Sequence, residues 1–226
     1  MSHWLSIRPT IDELVNLQFE TPEFRKLFAV RLTVGRVEVY QNHMIFYANN
    51  RRDCWAFVAG KAPLEVKRAI WAHEKDELIH DERMGRAHVT EADLQTGDEA
   101  RLAPGAKAAY YAWLYCARDK PWLEGLMCSH ILERRNNNAI VRGGGLVERW
   151  KRKQRAELGA AAADKDFQTE VHAVADEDHS DLFEPIFQHY VDSEAAAQAV
   201  LAATRDGLLI DRALRGALAD AMLAVE

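Results

Sequence analysis

Alanine, leucine, glutamate and arginine recur at spacings of three and four residues along most of the chain, and β-branched residues rarely alternate with polar ones. Spacings of three and four match the 3.6-residue period of an α-helix, whereas a half-buried strand requires a period of two. Most of these residue types also favour the helix intrinsically. The sequence therefore predicts an all-α chain, folded as a bundle of about seven or eight helices.

Prolines and glycines predict where the helices begin and end. The stretch "TPEF" at 21–24 has the pattern of an N-cap threonine followed by proline in the first turn. Three further helices are expected to begin at prolines, which are Pro63, Pro104 and Pro121. The glycines at 143–145 predict a break, and the last thirty residues predict one or two more helices.

Length and charge limit the classes of protein to which the chain can belong. With 226 residues, of which 48% are hydrophobic and 28% charged, and without a linker-like stretch, residues 1–226 are expected to form one domain. The formal net charge of -6 argues against general nucleic-acid binding, so the basic run at 148–155 is interpreted as a solvated helix face. The first thirty residues carry seven charged side chains and no apolar stretch approaches the length of a membrane span, so a cytoplasmic protein without a membrane partner is expected.

The three cysteines lack CxxC spacing and are predicted to be reduced and mostly buried.

The stretch "EVHAVADEDHSDLF" at 170–183 is the strongest candidate for a functional motif. His172, Asp176 and His179 are separated by four and three residues, so on a helix they fall within a sector of roughly 60 degrees. That stripe continues through Phe183, Ile186 and Tyr190, so the three polar groups are expected on the inward face of the helix. The carboxylates on the other sides are expected to be hydrated, and they are Glu177, Asp181 and Glu184. An ionised aspartate on such a face requires a charge partner or a metal ion. The alternative is that this end of the helix is exposed, or that Asp176 only orients a histidine.

Two other predicted helices offer matching groups. Glu77 and His80 form a Glu-x-x-His pair of the kind found in metal sites of helical bundles, and Glu133 is the carboxylate chosen from "LMCSHILERR". The six candidate ligands are then Glu77, His80, Glu133, His172, Asp176 and His179. A set of nitrogen and oxygen donors without thiolate suits one or two iron or manganese ions. Five neighbouring residues are alternative ligands or partners of a ligand, although each is expected to have only a structural role. They are His73, Glu74, Asp81, His88 and His130.

Together, Glu77-x-x-His80, Glu133 and His172-x-x-x-Asp176-x-x-His179 resemble the metal motifs of the haem-oxygenase-like diiron oxidases and oxygenases. This family belongs to the superfamily that also includes thiaminase II and the pyrroloquinoline quinone biosynthesis oxidase, and the segments "DELIHD" and "VHAVADEDH" are similar to those of its fatty acid decarboxylases. The resemblance implies a haem-oxygenase-like helical domain that holds two Fe(II) ions per chain and uses O2 as co-substrate. It implies oxidation of a small organic substrate, such as an amino-acid-derived compound or a fatty acid, in a biosynthetic pathway. A homodimer and an external electron donor are further expectations.

Other functions share this architecture. A thiaminase II-like enzyme would use a cysteine nucleophile and no metal, with Cys128 as the candidate, although a lone cysteine is more often a packed small side chain. That enzyme would leave the six-residue set unexplained, and a cofactorless oxidase or a haem-binding protein of this architecture does not require the set either. In a non-enzymatic interaction module, the polar residues would form a buried hydrogen-bond network. For the substrate pocket the sequence offers Tyr40, His43, Phe46 and Tyr47, with Arg51 or Arg52 to receive a carboxylate. Aromatic residues at such helical spacings usually belong to the core.

Overall fold

The computed structural model describes residues 3–83, 102–160 and 179–226. These residues are almost entirely helical and contain no strand, which confirms the all-α prediction. Nine helices have their bounds within the described ranges, slightly more than the seven or eight expected. They are α1 His3–Gln18, α2 Pro22–Ala29, α3 Val34–Lys61, α4 Leu64–Arg83, α5 Pro104–Asp119, α6 Trp122–Arg134, α7 Leu146–Leu158, α8 Glu184–Tyr190 and α9 Glu194–Leu223.

The predicted helix starts agree with the structure. Thr21 is the N-cap of α2 and Pro22 follows it in the first turn, although the Thr21 hydroxyl donates to the carbonyl of Gln18 and does not cap the helix. Pro104 begins α5, and Pro63 and Pro121 immediately precede α4 and α6. Proline suits these positions because a first-turn N–H has no acceptor within the helix.

The long helix α9 lies against α1, α2, α3, α5 and α6. At Gly207 it packs closely against α6. A Cβ on Gly207 would lie 2.7 Å from Cγ2 of Ile131 and 3.0 Å from the carbonyl oxygen of Cys128. Only glycine therefore allows α9 to pack this closely against α6.

The loop between α6 and α7 contains the glycine run. Gly143 and Gly144 have positive φ angles of 81° and 91°, which side chains other than glycine rarely adopt. The guanidinium of Arg149 donates to the carbonyls of Gly144 and Arg142 at 2.7 and 2.6 Å, and that of Arg152 donates to Gly143. Part of the basic run thus holds the loop, a role that the solvated-face interpretation did not include.

Residues 179–182 are helical, and this helix ends before Phe183. Pro185 then lies in the first turn of α8, so residues 179–190 do not form one continuous helix. Phe183 and Ile186 are buried as expected, but the expectation that Glu184 is hydrated was wrong. Glu184 accepts from the Trp4 indole at 2.7 Å and pairs with Arg134, because the break turns its carboxylate towards α1 and α6.

Two other expectations concern the chain as a whole. Cys54, Cys116 and Cys128 are free thiols and all are buried, as the sequence predicted. Among the helices of the described ranges, none combines the length and the apolar character that crossing a membrane would require.

Candidate metal centre

Three buried side chains from three helical segments converge in the interior of the bundle. His73 lies on α4, Glu133 on α6, and His179 on the helical residues 179–182 before Phe183. One potential ligand atom from each residue lies within 4.8 Å of the others. The Nε2 atom of His73 is 3.9 Å from Oε1 of Glu133, and the ring centroids of His73 and His179 are 4.5 Å apart. We refer to His73, Glu133 and His179 as the triad.

The packing of α4 and α6 explains why these side chains point inwards. His73 follows the buried Ile70 by three residues, so it lies on the face of α4 that enters the core. On α6, every residue from Gly125 to Arg134 is buried. A helix that is buried on all sides presents its polar groups to the interior, and those groups must find partners there.

His73 and Glu133 lie close together without a hydrogen bond between them, while Nδ1 of His73 lies 3.1 Å from Oε1 of Glu74. The distance of 3.9 Å between His73 Nε2 and Glu133 Oε1 is too long for a hydrogen bond, and Nε2 has no hydrogen-bond partner among the described residues. Nitrogen and oxygen ligands lie about 2.0–2.2 Å from such an ion, so adjacent ligands are roughly 3 Å apart. An ion at the centre would thus draw the three atoms together by roughly 1–2 Å.

Glu133 is ionised although it is almost fully buried. Burial alone would raise the pKa of this carboxyl, but the neighbouring Arg51 guanidinium outweighs that effect and holds the pKa well below its ordinary value. Arg51 donates from Nη2 to Oε1 of Glu133 at 2.6 Å. A metal ion would therefore meet a carboxylate that is already deprotonated.

His179 lies between the triad and the acidic side of α4. Its Nδ1 atom is 3.3 Å from Oε1 of Glu77, and its Nε2 atom is 4.0 Å from Oδ2 of Asp76. Burial acts to lower the pKa of His179, but the hydrogen bond with Glu77 and the charge of Glu133 raise it above its ordinary value. A carboxylate beside a ligating imidazole fixes the orientation of the ring and increases its basicity.

Aromatic rings close the centre on one side. The Trp55 ring lies 4.7 Å from the ring of His73 and stacks on Phe183 at 5.3 Å, with an angle of 10° between the planes. Phe183 is also 6.0 Å from His73. These rings keep water away from His73, and in a less polar surrounding the charges of the centre act on one another more strongly.

His130 lies one turn before Glu133 and is completely buried. Within the described ranges neither of its ring nitrogens has a hydrogen-bond partner, and the ring packs against Phe183 and Phe187. Burial, together with the charge of Arg134, lowers the pKa of His130 far below its ordinary value. The imidazole is therefore neutral. His130 is not one of the three residues whose ligand atoms converge.

The structure brings together three of the six residues predicted as ligands: Glu133 and His179 in the triad, and Glu77 in contact with His179. His80 belongs to α4, but its side chain, together with His172 and Asp176, lies outside the described residues. Sequence reasoning missed His73 as a central group, because it was expected to be structural. The signal that could have identified His73 is its spacing, because it lies three residues after Ile70 and four residues before Glu77, on the same face of the helix.

The alternative nucleophile Cys128 lies in an unsuitable setting. Its thiol is buried and donates to the carbonyl of Ala203 at 3.2 Å. The hydrogen bond with Cys116, together with burial, raises the pKa of the Cys128 thiol. A nucleophilic cysteine requires a lowered pKa and access to substrate, so these contacts argue against Cys128 as the nucleophile.

The proposed pocket residue His43 has a structural role. Its Nδ1 atom lies 2.7 Å from the carbonyl oxygen of Val39, and its Nε2 atom accepts from the backbone N–H of Ala103 at 2.9 Å. Both nitrogens of this buried ring are therefore engaged. Tyr40 likewise belongs to the core, where it stacks on Trp150 at 4.0 Å.

Comparisons of this chain with protein-family models, with curated proteins and with solved structures gave no match. The resemblance to the haem-oxygenase-like diiron oxidases therefore stays a prediction from the motifs.

Proposed function

We propose that the chain is a non-haem iron oxidoreductase that uses O2 to oxidise a small organic substrate. The observation that carries the proposal is the triad, in which two imidazoles and one carboxylate from separate helical segments offer ligand atoms within 4.8 Å of one another. Two histidines and one carboxylate with open coordination positions are typical of Fe(II) oxygenases. An amino-acid-derived compound or a fatty acid is the substrate class that the motif resemblance favours.

Each residue of the centre has a defined task in this proposal. His73, Glu133 and His179 hold the ion, and the Glu77 carboxylate at 3.3 Å orients the His179 ring. Trp55 and Phe183 exclude water from the His73 side. Iron held there would supply the electrons for the reduction of O2, with an external donor restoring them.

The triad accounts for one ion. A second ion, as the sequence motifs predict, would use Glu77 beside His179 together with His80, His172 and Asp176. The number of irons bound per chain therefore distinguishes a mononuclear centre from a diiron centre.

Anaerobic titration of the metal-free protein with Fe(II), followed by rapid mixing with O2, tests the proposal. We expect the wild-type protein to bind one or two irons and to consume O2 in the presence of a reductant. The His73→Ala variant should lose both properties while its helical circular dichroism remains. His43→Ala is the matched control, because it removes a buried histidine outside the triad, and it should retain iron.

Two results would contradict the proposal. Full iron binding and O2 consumption in His73→Ala would mean that the triad is not the centre. Tight binding of zinc with no reaction of the iron-loaded protein towards O2 would indicate a hydrolytic zinc centre, since two histidines and a glutamate also hold catalytic zinc.

A further inference from the structure

Arg51 on α3 is a partly buried cation at the edge of the triad. Its side chain is 17% exposed and that of its partner Glu133 is 4% exposed. The Nη2 group of Arg51 donates to Glu133 at 2.6 Å and to the carbonyl oxygen of Ser129 at 2.8 Å. The guanidinium carbon also lies over the rings of Tyr47 and Trp55, at 5.6 and 5.7 Å from their centroids.

The Glu133 oxygen atom that Arg51 binds also faces His73. Oε1 of Glu133 accepts from Arg51, and the same Oε1 faces His73 Nε2 at 3.9 Å. An ion that bound this oxygen from the His73 side would lie near the guanidinium. Two cations would then share one carboxylate in a site with little water to screen them.

Arg51 has other contacts that remain when Glu133 turns to an ion. The Ser129 carbonyl accepts from it independently of Glu133, and two aromatic faces stabilise its charge. The ion pair with Glu133 can therefore open without leaving the guanidinium unsupported. Without an ion, the same pair prevents Glu133 from being a buried charge with no counterion.

We infer that Arg51 competes with the metal ion for the Glu133 carboxylate, so that it weakens metal binding and takes the place of the cation's charge in the metal-free protein. The inference rests on the proposed metal centre. It makes Arg51 a positioning residue that acts through Glu133. The opposite effect is expected of a group that only orients a ligand, because removal of such a group usually weakens metal binding by 10- to 100-fold.

Titration with Co(II), followed by its visible absorption, measures the competition without requiring enzymatic activity. We expect Arg51→Met to bind Co(II) at least tenfold more tightly than the wild-type protein does. Arg51→Lys keeps the positive charge and should therefore bind Co(II) less tightly than Arg51→Met does. The metal-free Arg51→Met protein should also melt at a lower temperature than wild type. Addition of Co(II) should raise its melting temperature by more than it raises that of wild type.

Arg215→Met is the matched control for loss of a buried arginine, since Arg215 is completely buried and pairs with Asp211 instead of Glu133. It should be destabilised but keep the wild-type affinity for Co(II). Unchanged or weaker Co(II) binding by Arg51→Met, with normal binding by wild type, overturns the inference and leaves the proposed centre in place. Absence of Co(II) binding in wild type and all variants overturns the proposed centre itself.

Discussion

At the scale of single residues, the proton and the metal ion compete for His179. The pKa of this imidazole is raised by Glu77 and Glu133 above its ordinary value of 6.5, against the effect of burial. A ligating histidine must be neutral, so binding of an ion displaces the proton. We expect Co(II) to bind roughly tenfold or more weakly at pH 6 than at pH 8, as measured by titration in buffers that do not bind metal.

The Glu77→Gln variant is the control for this pH dependence. It removes a carboxylate that raises the pKa of His179, so the pH at which affinity falls should move downwards. Equal affinity at pH 6 and pH 8 in the wild-type protein would show that His179 does not ligate the ion.

Glu133 gives the metal-free protein a different dependence on pH. Its pKa is lower in the folded protein than in the unfolded chain, where it is about 4.5, so in acid the unfolded state binds more protons. Glu133 therefore makes its full contribution to the unfolding free energy above about pH 4.5. This contribution is lost as the pH falls towards the pKa of Glu133 in the folded protein. Urea unfolding between pH 5 and pH 3, with a chelator present, should show a smaller loss of unfolding free energy in Glu133→Gln than in wild type. Identical pH slopes in the two proteins would contradict the ion pair of Glu133 with Arg51.

At the scale of elements, the contact between α6 and α9 controls the position of Glu133. A Cβ at Gly207 would lie 2.7 Å from Ile131 and 3.0 Å from a backbone oxygen of α6, and backbone cannot give way as a flexible side chain can. Gly207→Ala should therefore lower the unfolding free energy by about 1–3 kcal/mol and weaken metal binding, as urea unfolding and Co(II) titration would measure.

Gly60 provides the matched substitution on another helix. It is exposed on α3, and a Cβ there would meet no atom within 4 Å. Gly60→Ala should be neutral or stabilise the protein by up to about 1 kcal/mol, because alanine favours the helix over glycine. A Gly207→Ala protein as stable as Gly60→Ala would contradict the close packing of α6 on α9.

The sequence predicts helices well where a local signal marks their ends. Pro104 and Thr21 each place a helix start correctly, because the restriction imposed by proline and the N-cap preference act within one turn. The stripe through Phe183 to Tyr190 failed as a continuous helix because Pro185 interrupts it. Periodicity alone does not show such an interruption, and it placed Glu184 on the solvent side for that reason.

The candidate site was predicted only in part, for a different reason. Periodicity indicates the face of α4 on which His73 and Glu77 lie, but the depth of each residue depends on how α4 approaches its neighbours. His73 is buried in the triad, whereas the Glu77 side chain is 24% exposed beside His179. On α6 no periodic signal can single out Glu133, because the residues around it are buried on every side.

At the scale of the whole molecule, the end of α6 connects three buried groups of charges. Glu133 turns towards Arg51 and the triad, Arg134 pairs with Asp12 and Glu184, and Arg135 donates to Asp211 on α9 at 2.8 Å. Three consecutive side chains thus fix α6 against α3, α1, α8 and α9. Because buried ion pairs are strongly destabilising when one partner is removed, this arrangement makes the position of Glu133 depend on the surrounding helices.

Metal binding should consequently stabilise the entire fold. An ion that binds the folded chain alone stabilises it by about 2.7 kcal/mol when its free concentration is 100 times Kd. For a chain of this size that corresponds to a rise in melting temperature of roughly 5–11 °C. Differential scanning calorimetry of the metal-free protein with and without Co(II) or Fe(II) should show this rise, and His43→Ala should retain it. The His73→Ala variant should show no rise, because the remaining ligands no longer close around the ion. An equal shift in His73→Ala and wild type would mean that the stabilising ion binds elsewhere on the protein.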